Sequence, residues 1–217
     1  VMDLGWDPGT NELRIITEWG GRWVDLADGS QRDVAFTQHM FRATPVLTST
    51  GLRVVGLSGS RDVPLLRLDG SRDMVLRGER YELPIAGDVA SAAGSEILLP
   101  YRDGVRVYSG AGEMLRFVRG LEYTSDYTFV QADSDAELEI VFMRPMHGAM
   151  EVRVVNFDGS VANEWRRSEG TWLSWIPPLG SDLLWGLTAA GFVAFESGGR
   201  QVHAYPAEGV GYLRDVA

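Results

Sequence analysis

Apolar and polar positions alternate along this chain in short runs, and the runs are closed by segments rich in Gly and Asp. Alternation of period two over four to eight residues marks β-strands that present one side chain to a core and the next to a neighbour or to water. No segment carries the i, i+3, i+4 recurrence of an amphipathic helix. The pattern therefore predicts an all-β domain with less than about 5% α-helix, against roughly 30–35% in ordinary domains.

The runs repeat. One internal turn recurs as Leu26-Ala27-Asp28-Gly29-Ser30, Leu68-Asp69-Gly70-Ser71, Tyr108-Ser109-Gly110-Ala111-Gly112, Phe157-Asp158-Gly159-Ser160 and Glu196-Ser197-Gly198-Gly199. Asp-Gly between two apolar runs is a hairpin signal, read here as a type I′ turn with positive φ at both central residues. Strands are expected before each turn at 22–26, 63–68, 105–108, 151–157 and 192–195, and earlier still at 13–17, 52–57, 96–100, 138–143 and 182–187. A further strand follows each turn at 33–37, 73–77, 114–118, 161–165 and 201–205, and a less regular one precedes each set, as at 43–48 and 123–131. The period, about 39 to 45 residues, is that of a four-stranded propeller blade.

These hairpins resemble those of the broad bacterial β-propeller class with blades ending in apolar-x-apolar-Asp-Gly-x-apolar, as in NHL-type repeats. Arg106 to Phe117 and Val154 to Ser160 carry the resemblance best, while the Trp-Asp and Gly-His pairs of WD40 repeats are absent. The resemblance implies a β-propeller of about five four-stranded antiparallel blades, whole or part of a larger one. Approximate blades are 1–41, 42–82, 83–120, 121–168 and 169–209 of a single domain over 1–217, with 210–217 an extra strand or the start of a further blade. Fold does not fix function. A β-sandwich with incidental turns is the competing architecture.

Composition narrows the chemistry. With 45% hydrophobic and 23% charged residues the chain has the make-up of a folded globular protein, and no apolar run is long enough to span a bilayer. No signal peptide is visible, and a chain starting at Val1 is expected to be processed or excised from a longer product; the compartment stays open. There is no Cys, and all 20 basic residues are Arg, which removes thiolate ligands, Cys nucleophiles and Schiff-base lysines. The net charge of −10 argues against nucleic acid as a partner.

Catalytic signatures are weak, and the expectation leans away from an enzyme, with no catalytic residue, metal or cofactor assigned. Gly56-Leu57-Ser58-Gly59-Ser60 misses the nucleophile-elbow pattern at its last position. His39, His147 and His203 lie in different repeats without ligand spacing. Asp133, Ser134, Asp135, Glu137 and Glu139 lack the glycine and spacing of a calcium loop and read as a solvated connector. Trp165, Trp172, Trp175 and Trp185 crowd the last repeat and read as packing between blades, with a sugar platform as the alternative. Five-bladed propellers include glycosidases with carboxylates from separate blades, for which Asp7, Asp62 and Glu122 are conceivable members.

Placing residues on the repeat yields the favoured site. Turns between second and third strands are expected to share one face with the links between repeats. The former carry Arg22, Arg61, Arg102 and Arg144 beside Trp19 and His147; the links add Arg42, Arg80, Arg119, Arg166 and Arg167. Turns between third and fourth strands carry Asp28, Asp69, Glu113, Asp158 and Glu196. The expectation is a bacterial, non-catalytic binding or scaffold module that recognises a protein or other anionic partner through Trp19, Arg22, Arg61, Arg102, Arg144 and His147. The alternative is a carbohydrate-active propeller, either a lectin or a glycosidase. Neighbouring carboxylates at Asp62, Glu79, Asp103 and Glu122 would blunt the arginine face by pairing with it.

Overall fold

The computed structural model describes residues 3–7, 11–37, 39–40, 42–48, 51–57, 62–77, 84–90, 95–101, 103–122, 126–167, 172–175, 182–188 and 191–206. Among them are twenty strands and no helix. They form five four-stranded antiparallel sheets, each taking its strands in chain order. The first sheet is β1 (Asp3–Asp7), β2 (Glu12–Thr17), β3 (Gly20–Asp25) and β4 (Gln31–Ala35). The second is β5 (Arg42–Thr48), β6 (Gly51–Leu57), β7 (Asp62–Leu66) and β8 (Arg72–Arg77). The third is β9 (Ile85–Gly87), β10 (Glu96–Tyr101), β11 (Gly104–Tyr108) and β12 (Met114–Arg119). The fourth is β13 (Asp126–Val130), β14 (Glu139–Met146), β15 (Ala149–Val155) and β16 (Val161–Arg167). The fifth is β17 (Trp172–Trp175), β18 (Leu183–Thr188), β19 (Gly191–Glu196) and β20 (Gln201–Pro206).

Packing divides the chain into two compact units, one holding the first two sheets and part of the third, the other the rest of the third and the last two. In the first unit, alternate residues of one strand serve two cores. Val54 and Leu66 join Ile16, Trp23 and Val34, whereas the adjacent Val55 and Leu65 join Ile97, Leu99 and Tyr108. A sheet covered on both faces needs apolar residues at successive positions, hence runs such as Ile97-Leu98-Leu99 and Ile140 to Met143. In the second unit Val141, Met143, Val152 and Val154 pack with Leu184 and Phe195.

The recurring turns lie where the sequence places them, but their conformation is different. Gly70, Gly112, Gly159 and Gly199 have positive φ, and the residue before each does not; among described non-glycine residues Asn11 has one, at 53°. Gly70 N–H donates to the Arg67 carbonyl and Arg67 N–H to Ser71, both at 2.9 Å; 109–113, 156–160 and 196–200 repeat the arrangement. This is a type I turn followed by a left-handed glycine, and not type I′. An aspartate at the second central position is compatible with it because its carboxylate accepts the Ser N–H two residues on, at 2.8 Å for Asp69–Ser71 and Asp158–Ser160. Beyond the turn a bulge shifts the register in the second, fourth and fifth sheets, between Leu65 and Leu66, Val154 and Val155, and Ala194 and Phe195. Such bulges steepen the local strand twist.

Candidate functional site

The turn from β2 to β3 is two residues long, Glu18-Trp19, and is closed by Thr17, whose Oγ1 donates to the Gly20 carbonyl at 3.1 Å. The fifth sheet closes its own turn the same way, with Thr188 on Gly191 at 2.9 Å. The Trp19 carbonyl accepts from Phe36 N–H (2.9 Å) and the Glu18 carbonyl from Met40 N–H (2.8 Å). On this pinned backbone the Trp19 side chain stands 66% exposed. Its ring lies 4.5 Å from that of His39, tilted by 50°, and His39 Nε2 is 3.0 Å from a Glu18 carboxylate oxygen.

Arg22 and Arg144 lie within strands β3 and β14, not in the turns where the sequence reading puts them. Arg22 faces Asp33 across β3 and β4 and donates to both its oxygens, at 2.6 and 3.0 Å. That hydrogen-bonded pair lowers the Asp33 pKa and raises that of Arg22. Arg144, Glu151 and Arg166 form a row across β14, β15 and β16. Glu151 is buried, and both guanidiniums bond to its carboxylate, Arg166 through Nε at 2.9 Å. Burial works to raise the Glu151 pKa, but the bonds from Arg166 and Arg144 outweigh it and hold the group below its ordinary value. Arg144 also donates to the Glu122 carbonyl at 3.1 Å. His147 is exposed in the two-residue turn between β14 and β15. Arg61 and Arg102 lie outside the described residues.

Of the repeat-linking arginines, Arg166 belongs to the Glu151 row and Arg167 lies over the Phe195 ring at 5.0 Å, while Arg119 is exposed. Arg80 and the Arg42 side chain lie outside the described residues. The turn carboxylates hold their own hairpins. Hydrogen bonds from Ser30, Ser71 and Ser160 lower the pKa of Asp28, Asp69 and Asp158, and Arg200 does the same for Glu196. The Asp-x-Ser spacing was the signal for this role.

Glu122 is exposed, whereas the side chains of Asp7 and Asp62, and Ser58 to Ser60, lie outside the described residues. The acidic connector is more organised than a solvated one. Carboxylate oxygens of Asp133, Asp135 and Glu139 lie within 4.8 Å of one another, and Glu139 is buried. Burial raises the Glu139 pKa, the Ala132 N–H bond opposes this, and the charges of Asp133 and Asp135 add to the rise. Oxygen ligands of this kind suit a hard dication. The loop's shape is already accounted for by bonds such as Asp135 N–H to Asp133 at 2.8 Å and Glu137 N–H to Asp135 at 2.9 Å. Of the clustered tryptophans, Trp165 is a packing residue, 5.3 Å from the Phe195 ring with its indole N–H on the Ser197 carbonyl. Trp185 instead lies beside His203 and Tyr205. The side chains of Trp172 and Trp175 lie outside the described residues. No helix among the described residues is long and apolar enough to cross a membrane.

Solved structures of similar shape exist. The chain superimposes on the crystal structure of BBS1N in complex with ARL6DN, soaked with mercury, with a TM-score of 0.64 and 8% identity, covering 94% of this chain and 68% of that one. The same complex soaked with lead gives 0.62 and 9% identity, covering 88% and 60%. Virginiamycin B lyase from Staphylococcus aureus gives 0.60 and 12% identity, covering 92% and 67%. Together with the five successive four-stranded sheets, these likenesses define a protein of the β-propeller fold class. No protein-family model matches the chain, and no curated protein does. At such identities the likeness speaks for the fold alone.

Proposed function

We propose that the chain is a non-catalytic propeller module that binds a protein partner through the turns between second and third strands, with Trp19 as its anchor. The observation that carries this reading is a tryptophan 66% exposed at the tip of a hairpin whose backbone is pinned by two hydrogen bonds. A large aromatic held rigidly in water loses little conformational freedom on binding and brings much apolar area to a contact, the profile of an interface hot spot. His147 is exposed in the fourth sheet's counterpart of the Glu18-Trp19 turn, and Arg22 lies on β3 two residues beyond Gly20, which closes that turn in the first sheet. Arg61, Arg102 and Arg144 complete the proposed surface, on which Arg61 and Arg102 favour acidic groups of the partner while Arg144 stays tied to Glu151. BBS1N, a structural neighbour, is itself seen in complex with a protein, ARL6DN.

A photo-crosslinking residue at position 19, with a control at 158, would capture and identify the partner in the native host. With that partner purified, Trp19→Ala is expected to weaken binding by at least about 2 kcal/mol, the scale of a hot-spot truncation. Unchanged affinity in Trp19→Ala, with loss of binding in an Asp69→Ala/Asp158→Ala variant, would assign recognition to the opposite turns.

A further inference from the structure

Resting on that reading and deepening it, we infer that the Trp19 turn recognises an arginine side chain of the partner, its guanidinium stacked on the Trp19 indole and hydrogen-bonded to the Glu18 carboxylate. The site is built from Glu18 and Trp19, the two residues of the turn, and His39, from the segment after β4. Met40 N–H donates to the Glu18 carbonyl at 2.8 Å, which brings that segment back to the turn. There His39 meets both turn residues: its Nε2 lies 3.0 Å from a Glu18 carboxylate oxygen, and its ring centroid 4.5 Å from that of the indole. An ionised carboxylate has no hydrogen to give, so Nε2 is the donor. One imidazole thus holds an acidic group and an aromatic ring side by side.

What these three side chains leave open fits a guanidinium. The two rings are tilted by 50°, so the imidazole meets the indole obliquely and does not lie flat across it. Trp19 remains 66% exposed, and an indole with that much of its surface in water presents ring face to it. Such a face is the negative side of the ring's quadrupole and attracts a cation. The Glu18 side chain is 58% exposed beside it. Among the described residues no arginine pairs with Glu18, whereas Asp33, Asp73, Glu151 and Glu164 are each held by an arginine of their own sheet. Glu18 therefore keeps a charge that its fellows have already spent within the fold.

An indole face next to a carboxylate selects arginine among the possible occupants. A planar guanidinium stacks on the ring and keeps its edge N–H groups for the carboxylate, whereas the compact charge of a lysine serves one contact at a time. An aliphatic side chain would use the indole but strip water from Glu18 without replacing it. A partner carboxylate would be repelled by Glu18, and the chain's net charge of −10 draws basic groups toward it. Arg22, on β3 of the same sheet, calls for the opposite sign, since its pair with Asp33 is open to water at both ends. The partner segment that suits this sheet is an arginine bordered by acidic residues.

The probes are the acetyl amides of arginine, lysine and leucine, titrated separately into the whole chain at constant ionic strength. Binding is followed by the indole N–H signal of Trp19 in heteronuclear NMR, assigned with Trp19→Phe. The arginine amide should shift that signal saturably, the lysine amide should bind about two-fold or more weakly, and the leucine amide should leave it in place. Glu18→Gln keeps an oxygen for His39 and removes the charge alone, so its melting curve should overlay that of wild type. It should weaken the arginine amide about two- to five-fold, as loss of an exposed ion pair does, and the purified partner by a similar factor. Trp19→Leu, which keeps apolar bulk without a π face, should bind the partner no better than Trp19→Ala. Partner binding that falls in Trp19→Ala but is untouched by Glu18→Gln would overturn the arginine assignment and leave the partner surface standing. An equal shift with the leucine amide, or lysine binding as tightly as arginine, would overturn it too. Saturable arginine binding with a partner indifferent to Trp19→Ala would keep the guanidinium site and strike the partner surface alone.

Discussion

Glu151 offers a quantitative test of what holds the fourth sheet together. Its side chain is 3% exposed, between Arg144 at 29% and Arg166 at 66%. Breaking a fully buried ion pair costs about 3–5 kcal/mol, because one charge is left without water or a partner. Here the survivors of Glu151→Gln are guanidiniums that already reach solvent, so the expected loss is smaller, about 2–3 kcal/mol. For a chain of this size that is a fall in Tm of about 5–10 °C. The two arginines should differ. Arg144 is the less exposed and also holds the Glu122 carbonyl, so Arg144→Ala should cost more than Arg166→Ala. Removing both strands a carboxylate in the core and should exceed the sum of the single losses. The sign of the pH dependence follows from the lowered Glu151 pKa. Its contribution is present above the unfolded value of 4.5 and disappears as pH falls through the lower folded value, so wild type and Glu151→Gln should converge in acid. Urea melts of the four variants at neutral and acid pH, compared at constant m-value, provide the measurement. Strict additivity of the arginine losses, or a Glu151→Gln cost below about 1 kcal/mol, would mean that the carboxylate reaches water and the reasoning fails.

Glycines with the same left-handed conformation should respond differently to alanine. Gly159 has open space where a Cβ would go, so Gly159→Ala should cost about 1–2 kcal/mol for the backbone alone. At Gly70 the Cβ would run into the Ala35 carbonyl, and Gly70→Ala should lose at least about 3 kcal/mol in the same urea melt. Glu139 has the opposite linkage to Glu151. Its folded pKa is raised above the unfolded value of 4.5, so its contribution is fully present below that value and is lost as pH rises through the folded one. Glu139→Gln should therefore melt above wild type at pH 7, and the advantage should vanish below pH 4.5; a variant less stable at pH 7 would contradict this.

The strands were legible because their signals are local. Each expected run at 13–17, 52–57, 96–100, 138–143 and 182–187 lies on the second strand of a sheet, to within three residues at either end, since period-two patterning and turn glycines survive without tertiary information. Turn conformation was less legible. Asp-Gly suits type I′ equally well, and although Asp69 and Asp158 accept the N–H of the serine that follows, 109–113 and 196–200 adopt the same turn without an Asp–Ser pair. The site was legible in residue type but not in partnership. Arg22 meets Asp33 and Arg153 meets Glu164, each eleven positions away, and Arg166 meets Glu151 fifteen away. Those spacings become visible only when turn length and register are known. The neighbours of Trp185 needed the same knowledge, because Trp185 and His203 are separated by the whole of β19.

These pairings separate the two described arginines of the proposed partner surface. Arg22 is held in a fixed, two-pronged orientation by Asp33, and both side chains are largely in water. A bond of that kind orients the guanidinium yet opens readily, since water can take over both halves. A partner carboxylate could therefore replace Asp33 or join it, and Arg22 is ready to act as a contact. Arg144 is bound differently. Drawing it toward a partner would leave Glu151 in the core with one counter-ion, itself mostly exposed, so its exchange is opposed by the cost of an uncompensated buried charge. Arg144 should hold the sheet's frame, and Arg22 should touch what the frame presents. Once the crosslinked partner is in hand, the distinction is directly measurable. Arg22→Ala should weaken binding while its melting curve overlays that of wild type, and Arg144→Ala should lower Tm. At temperatures where Arg144→Ala stays folded it should bind with nearly wild-type affinity. A folded Arg144→Ala that fails to bind, alongside an Arg22→Ala that binds normally, would exchange the two roles.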